Sequence, residues 1–288
     1  MKIFITGGTG FVGRYIVNQL NKDFEIILPV RNIEKAKQLF ENKENLTIIH
    51  FVDELDHLVK QYKPNIIINL LGILIENRKK GITFEKVHFE YTKRLVEAGV
   101  EVGINKFIQM SALGVDINSK SRYMRTKALA EEEIKKSSLN FTIFRPSIIL
   151  GKEQKLFEDF KKLTKFLPVI FAPKGKVQPV NIYDVRDSFI KAILMEEKTK
   201  KQIFELCGDR IISYKELFQF AIEYIGRKRI VIEIPKEIML PLIPFFELLP
   251  EPPMTKDQYE MLKKDNVCSG LYPTTKDLLG KVRDPFQF

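Results

Sequence analysis

The sequence predicts an α/β fold, a doubly wound parallel sheet followed by a smaller C-terminal region. Three observations carry that prediction. Apolar, partly β-branched runs alternate with amphipathic helical stretches through the first half, a glycine-rich turn joins the first run to the first helix, and a proline-rich texture begins after Pro146.

Lys2 to Thr6 form an apolar run suited to a strand buried on both faces. In MKIFITGGTGFVG, Gly7, Gly8, Gly10 and Gly13 separate that strand from a helix on which Phe11, Val12, Ile16, Val17 and Leu20 share one stripe. Further strand-like runs lie at 24–30, 46–51, 65–71, 106–110 and 141–144, with amphipathic segments at 33–40, 55–62, 84–102 and 123–136 between them. Repeated strand–helix units imply parallel pairing and a ligand at the carboxyl ends of the strands. Residues 1–147 are expected to form a Rossmann-type domain, and 148–288 a smaller substrate-side region that sends a strand and a helix at about 177–195 back to the sheet. The stretch 238–253 is apolar and interrupted by prolines; a covered core segment is the commoner explanation, with the wall of a lipophilic pocket or a membrane or partner contact as alternatives.

A chain of 288 residues with 44% hydrophobic and 29% charged residues has the composition of a soluble globular protein. The longest apolar stretches, 66–75 and 238–249, are shorter than the ~20 residues that cross a bilayer. A glycine turn occupies the place of a secretory hydrophobic segment, which makes the expected location cytoplasmic, with peripheral membrane association as the variant that 238–249 suggests. Cys207 and Cys268 are far apart and form no CxxC pair, so neutral, unbridged side chains are expected. His50, His57 and His88 lack metal-ligand spacing, and no metal is expected. The net charge of +10 arises from lysines mixed with glutamates, as in LFEDFKKLTK and EEEIKK, a pattern of solvated helix faces that disfavours a nucleic-acid role.

The chemistry-bearing signals begin with the glycines. Gly8, Gly10 and Gly13 fit G-x-G-x-x-G, and Gly7, Gly10 and Gly13 fit G-x-x-G-x-x-G, both after a strand and opening a helix, which points to a dinucleotide pyrophosphate on the helix N-terminus. At the end of the second strand, where an acidic residue would bond the ribose hydroxyls of NAD, ILPVRN places Arg31, and Arg14 follows the last glycine. Guanidinium groups suit the 2′-phosphate of NADP, so NADP(H) is preferred over NAD(H). In SRYMRTKALAE, Tyr123 and Lys127 stand one helical turn apart, so that an ammonium can stabilise a phenolate and the tyrosine can act as general acid or base.

TGGTGFVG, INLLGIL, MSALGVD, YMRTK, FRPSIILG and QPVNIYDV resemble, in that order and over nearly the whole chain, the extended, atypical short-chain dehydrogenase/reductases. NLLGIL, FEKVHFEYTKRL, MSALG, FLPVIF and LLPEPPMTKDQYEMLKKDNV are similar to the branch that includes the dehydrogenase-like accessory subunit of respiratory complex I and its stand-alone bacterial relatives. The resemblance implies cofactor or catalytic positions at Gly7, Thr9, Gly10, Phe11, Val12, Gly13, Arg31, Leu71, Gly72, Tyr123, Lys127 and Pro146. It also marks departures. Phe51 stands where many relatives carry an adenine-binding aspartate, His88 replaces the asparagine of the catalytic tetrad, and either Ser111 or Ala112 occupies the position of its hydroxyl.

The first function implied is an NADP(H)-dependent oxidoreductase or epimerase/dehydratase-type enzyme. In it Tyr123 protonates the substrate oxygen, Lys127 lowers the tyrosine pKa and Ser111 orients the carbonyl of a small-molecule substrate, for which the apolar 238–249 stretch suggests a lipophilic one. The alternative is a structural or redox-sensing accessory protein in which the dinucleotide stabilises a fold that docks on a respiratory or other complex. An RNA-binding relative is the third reading.

Overall fold

The computed structural model describes residues 1–40, 44–248 and 252–288. Its strands are β1 (Lys2–Thr6), β2 (Glu25–Val30), β3 (Leu46–His50), β4 (Ile66–Asn69), β5 (Lys106–Met110), β6 (Phe141–Pro146), β7 (Ile149–Leu150), β8 (Val169–Pro173), β9 (Lys176–Val177), β10 (Val180–Asn181), β11 (Gln202–Leu206), β12 (Ile212–Ser213) and β13 (Ile230–Ile234). The helices are α1 (Phe11–Leu20), α2 (Ile33–Leu39), α3 (Leu55–Tyr62), α4 (Tyr91–Val102), α5 (Arg122–Lys136), α6 (Lys155–Leu163), α7 (Ile182–Leu194), α8 (Glu196–Thr199), α9 (Tyr214–Tyr224), α10 (Ile243–Phe246), α11 (Lys256–Leu262) and α12 (Thr275–Leu279).

A seven-stranded sheet in the order β11-β6-β5-β4-β1-β2-β3 is parallel throughout. Ile16, Val17 and Leu20 of α1 pack with Val185 and Phe189 of α7 on one face of it. Val59 of α3, Leu95 of α4 and Ile134 of α5 cover the other, against Phe107. Both faces are therefore apolar, which explains why the strands read as continuous hydrophobic runs rather than alternating ones. A third core, with Phe157, Phe160, Ile170, Leu217 and Val231, lies in the C-terminal half between α6, α9 and the β8–β13 pair.

The strand order reverses between β1 and β4, both of whose neighbours are fed from opposite directions along the chain. At that point Asn69, fully buried, accepts from Thr6 Oγ1 at 2.6 Å and donates through Nδ2 to Gln109 Oε1 at 2.9 Å and Thr92 Oγ1 at 3.0 Å. One amide thus ties β1, β4, β5 and α4 together at the carboxyl edge, where open α/β sheets bind ligands.

Three expectations are corrected. The helix expected to return to the sheet is α7, but the strand that joins it is β11; Val180 and Asn181 pair with Ile149 and Leu150 instead, and Asn181 caps α7 through Tyr183 N–H. The apolar stretch from 238 is mostly uncovered: Ile238, Leu240, Leu242, Phe245 and Leu248 are exposed and Ile243 is buried, while 249–251 lie outside the described residues. Pro241 sits inside a 3-10 helix (Lys236–Leu242) and Pro244 at the start of α10, so no single buried stripe can form. Cys207 and Cys268, finally, form a disulfide, with 6.2 Å between their Cα atoms.

The bridge joins the end of β11 to a C-terminal strap. Asn266 N–H donates to Lys176 O, Cys268 N–H to Gln178 Oε1 and Ser269 N–H to Glu205 Oε2, and Glu205 N–H donates to Pro273 O. Spacing gave no hint of the pairing because the contact is created by this long-range strap. The bridge closes a sequence separation of 61 residues. Reduction, or Cys268→Ser, is expected to lower the unfolding free energy by about 2–4 kcal/mol, measured by urea denaturation with and without dithiol.

Lys106, at the opposite edge of the sheet, is buried with its ammonium on Thr199 Oγ1 at 2.6 Å, and burial pushes its pKa down from 10.5 to about 8. The folded state then binds fewer protons than the unfolded one, so Lys106 opposes folding below about pH 8 and ceases to do so as pH rises to 10.5. Lys106→Met should stabilise the protein at pH 7 by on the order of 1 kcal/mol, with the gain fading above pH 10 in the same denaturation assay.

Candidate cofactor and active site

The turn from β1 into α1 is built by steric exclusion. Gly7 adopts φ +70°, and a Cβ on Gly13 would stand 2.4 Å from Gly7 O and 2.5 Å from Gly8 Cα. A Cβ on Gly8 would lie 2.3 Å from Leu28 Cδ1. These three glycines serve the close packing of helix on strand. Gly10 differs: it is exposed, and a Cβ there would meet Gly7 O alone, at 3.2 Å. The space it leaves open lies above the loop, where a pyrophosphate would approach the backbone.

Two further observations fit a dinucleotide phosphate here. Helices α2, α5, α7 and α9 are capped by the side chains of Asn32, Ser121, Asn181 and Ser213, whereas α1 begins at Gly10 with no side-chain cap and no acidic residue in its first turn. Its first N–H groups and positive dipole end remain for an anion. Arg14, one position beyond Gly13, has a buried Nε without a hydrogen-bond partner. Thr9 flanks the crest, Val12 is buried beneath it, and Phe11 packs edge-on to Tyr15 with its ring against Gly151.

Arg31 follows β2 directly and is exposed, free of any carboxylate among the described residues. Phe51, just past β3, is buried edge-on against Tyr91 and offers no polar group to an adenine. Arg14 and Arg31 thus belong to the same edge as the glycine turn, and the adenine end has an apolar wall where an acceptor was absent from the sequence.

At the other end of the site, Ser121 caps α5 and sets Tyr123 and Lys127 on its first two turns. Lys127 is buried; its Nζ donates to Met110 O at 3.0 Å and Leu71 O at 3.3 Å, and a Cβ on Gly72 would come within 3.4 Å of it. One ammonium therefore binds the chain ends of β4 and β5, and burial lowers its pKa to about 8. With three donors and two carbonyls, it keeps one hydrogen for a ligand hydroxyl. Tyr123 lies edge-on to His88 at 5.0 Å and to Phe84 at 5.7 Å between ring centroids. Burial, reinforced by the Asp257 carboxylate, pushes its hydroxyl up to about 12, which keeps the phenol neutral at pH 7.

His88 has a structural position with consequences for the site. It lies in a π-helical turn (Glu85–Glu90) and accepts from Ile73 N–H through Nε2 at 3.1 Å, which leaves the proton on Nδ1, 3.0 Å from Thr126 Oγ1. Thr126 in turn donates to the carbonyl of Arg122 or Tyr123. Burial, with Lys127 adding repulsion, drives the imidazolium pKa down to about 2. His88 is a neutral strut between the loop after β4 and the helix that carries Tyr123.

Ser111 does not join the pair. Its hydroxyl donates to Glu131 Oε1 at 2.5 Å, and Glu131 is held in a two-pronged, buried ion pair by Arg145, Nε to Oε1 at 2.9 Å and Nη2 to Oε2 at 2.5 Å. Arg145 is stacked on Tyr272 of the strap, 4.7 Å from ring centroid to guanidinium carbon. Pro146, next along β6, accepts from Leu113 N–H through its carbonyl, which fixes the MSALG loop that also contains Ala112.

Sequence reasoning missed Asp257. Its carboxylate accepts from Arg122 N–H at 2.5 Å, Ser121 Oγ at 2.7 Å and Tyr123 N–H at 3.3 Å, so a residue of α11 caps the helix of the Tyr-Lys pair. The only available signal was its membership of the late TKDQYEM segment. Between α11, α5 and the loop after β4 lies a cavity of about 860 Å³, lined by Glu76, Phe84, Arg122, Arg125 and Asp257 among others. Phe84 connects its wall to Tyr123. Among the described residues, no group of three or more His, Cys, Asp or Glu side chains is placed to hold a metal ion.

A parallel doubly wound sheet with this glycine turn, uncapped helix and buried lysine defines a dinucleotide-binding protein of the Rossmann class. The chain belongs to the NAD(P)H-binding family, which it matches over residues 7–166. It is similar to NADH dehydrogenase (ubiquinone) 1 alpha subcomplex subunit 9 of Arabidopsis thaliana mitochondria, with 28% identity over 286 residues, covering 92% of this chain and 70% of that one. To the 40 kDa subunit of NADH-ubiquinone oxidoreductase of Neurospora crassa it is 27% identical over 282 residues, 95% of this chain and 74% of that one. Among solved structures, a nucleoside-diphosphate-sugar epimerase of Staphylococcus aureus superimposes with TM-score 0.73 at 16% identity, over 99% of this chain and 98% of that one. The UDP-glucuronic acid 4-epimerase of Bacillus cereus, in complex with UDP-glucuronic acid and NAD, gives TM-score 0.71 at 17% identity, over 99% and 96%. The resemblance to extended short-chain dehydrogenase/reductases, on the side of the complex I accessory subunit, is borne out.

The glycine geometry separates folding from binding. Gly13→Ala should cost about 2–3 kcal/mol or more of stability because its Cβ meets backbone. Gly10→Ala should change stability by about 1 kcal/mol or less and weaken dinucleotide binding about tenfold, as read by denaturation and by NADPH fluorescence titration.

Proposed function

We propose that this chain binds NADP(H) as a long-lived part of its fold and acts as an accessory protein that docks on a partner, of the kind its complex I relatives suggest. The observation that carries this reading is Ser111. Its hydrogen is committed to the buried Glu131–Arg145 pair, so the hydroxyl that would orient a carbonyl beside Tyr123 is engaged elsewhere. His88, in place of the tetrad asparagine, is spent on Ile73 and Thr126.

The preference for NADP(H) rests on Arg14, with its unpartnered Nε, and on Arg31 at the end of β2. Both guanidinium groups are suited to a 2′-phosphate, and among the described residues neither is paired with a carboxylate. Lys127 would bind the nicotinamide ribose with its remaining donor while holding the carbonyls of Leu71 and Met110. Membrane-peripheral placement on a respiratory assembly follows from this reading, and among the described residues no helix is long and apolar enough to cross a membrane.

A second reading is favoured by one observation: Tyr123 and Lys127 stand one turn apart on α5, and Phe84, whose ring meets Tyr123, lines a cavity large enough for a small substrate. A bound nicotinamide supplies or accepts a hydride. In that reading Tyr123 donates its proton to the substrate oxygen, and Lys127 lowers the cost of the resulting phenolate.

The purified protein is expected to carry NADPH and to release it over hours, and Arg31→Ala should shift preference toward NADH by about tenfold. An enzyme that uses the dinucleotide as a cosubstrate must exchange it at its turnover rate, about ten times per second for a typical case. Release on that scale, with carbonyl reduction lost in Tyr123→Phe, would overturn the accessory reading in favour of the catalytic one.

A further inference from the structure

The β8–β13 pair is a two-stranded parallel ribbon in which Ile230 faces Val169 and Ile232 faces Phe171. Its inner face, Ile170, Ala172 and Val231, is buried in the third core. Alternation would make the outer face polar if water were its permanent neighbour. Instead Phe171, Ile230 and Ile232 are exposed there, at 54%, 64% and 43%. The turn before β8 extends the apolar surface with Leu167 and with Phe166, which is 85% exposed.

Charge around this face is predominantly positive. Segments 160–176 and 226–236 hold nine lysines and arginines and one carboxylate, Glu233. The charges are fixed close to the apolar tip: Arg229 donates to Leu167 O at 3.1 Å and Thr164 O at 2.6 Å, and Arg227 donates to Thr164 O at 3.1 Å. Lys165 and Lys228 are exposed beside them, and among the described residues neither has a carboxylate partner. Exposed apolar residues continue beyond β13 at Ile238, Leu240 and Leu242.

We propose that the outer face of the β8–β13 ribbon, with the Phe166–Leu167 tip, is a docking surface for an anionic lipid bilayer. Phe166 and Leu167 would enter the boundary between headgroups and acyl chains, while Lys165, Lys228 and the two tethered guanidinium groups lie at the level of lipid phosphates. A bilayer supplies the apolar layer and the anionic layer together, in the geometry this face presents. The inference does not depend on the dinucleotide reading, because none of these residues belongs to the glycine turn or to the Tyr123–Lys127 site.

The test is co-sedimentation of the full chain, with its bound dinucleotide, with vesicles of phosphatidylcholine alone and of phosphatidylcholine and phosphatidylglycerol in equal parts. Partition into the mixed vesicles should be at least about tenfold stronger than into the neutral ones and should fall as salt rises. Phe166→Asp, and separately Lys165→Glu with Lys228→Glu, should each lower it about tenfold. Thermal unfolding and NADPH retention, read on the same samples, should not change, since these side chains are exposed. Equal partition into both vesicles, no partition into either, or wild-type partition of the variants would overturn the proposal. So would a dimer that Phe166→Asp abolishes in a protein that binds no vesicle, since that result assigns the face to a second copy of the chain.

Discussion

The side-chain amide of Asn69 is the interaction on which the site depends. It stands where the strand order reverses, and its oxygen and nitrogen are fully employed in joining Thr6, Gln109 and Thr92. Its oxygen also accepts from Leu71 N–H at 3.2 Å, so the same residue fixes the first step of the loop that leaves β4. A hydrocarbon at this position would leave several buried polar partners unsatisfied at once, each at about 1–3 kcal/mol. The carboxyl ends of β1, β4 and β5 are therefore in register before any ligand arrives, and the glycine turn, Leu71 O and Met110 O take their places from that register.

Lys127 uses the register that Asn69 creates. Two backbone carbonyls from adjacent strand ends converge on its ammonium, and a third neighbour, Glu131, lies one turn further along the same helix and favours its charged form. Yet Glu131 is also the partner of Arg145 and of Ser111. A buried carboxylate needs such partners, because a lone one would be costly to desolvate. The arrangement that makes the inner half of α5 stable is the same one that takes up the hydroxyl hydrogen of Ser111.

What was legible in the sequence was local. The first strand and helix begin and end where the glycines and apolar stripe place them, and Tyr123 and Lys127 share a face because four residues make about one turn. The features that sequence spacing did not disclose join residues far apart in the chain. Ser111 meets Glu131 and Arg145 through three separate elements, Asp257 reaches back 134 residues to Tyr123 N–H, and Cys207 meets Cys268 only because the strap is laid along β11. The exposed stretch after 238 was misread for a related reason: composition reports that residues are apolar, whereas Pro241 and Pro244 decide whether they can share a buried face. The place of the glycine turn between β1 and α1 was readable because a tight turn permits few residues, whereas the burial of Phe51 against Tyr91 was not.

The long-range contacts share a direction. Asp257 caps α5, Asn266 accepts from Ser147 Oγ at 2.5 Å, Ser269 binds Glu205 and Tyr272 stacks on Arg145. The chain after 252 is thus fastened across the carboxyl edge of β6 and β11 and onto the start of the Tyr-Lys helix, and the disulfide closes the same strap. A ligand held by the glycine turn and Lys127 would bind only the folded arrangement, and mass action would add its binding free energy to the stability of the whole edge. The uncapped start of α1 and the unpartnered Arg14 Nε are then sites left for that ligand to complete. The strap holds the start of α5 and the ends of β6 and β11 by the same contacts that stabilise it. In the accessory reading, retention of the dinucleotide would be the physical counterpart of this C-terminal fastening.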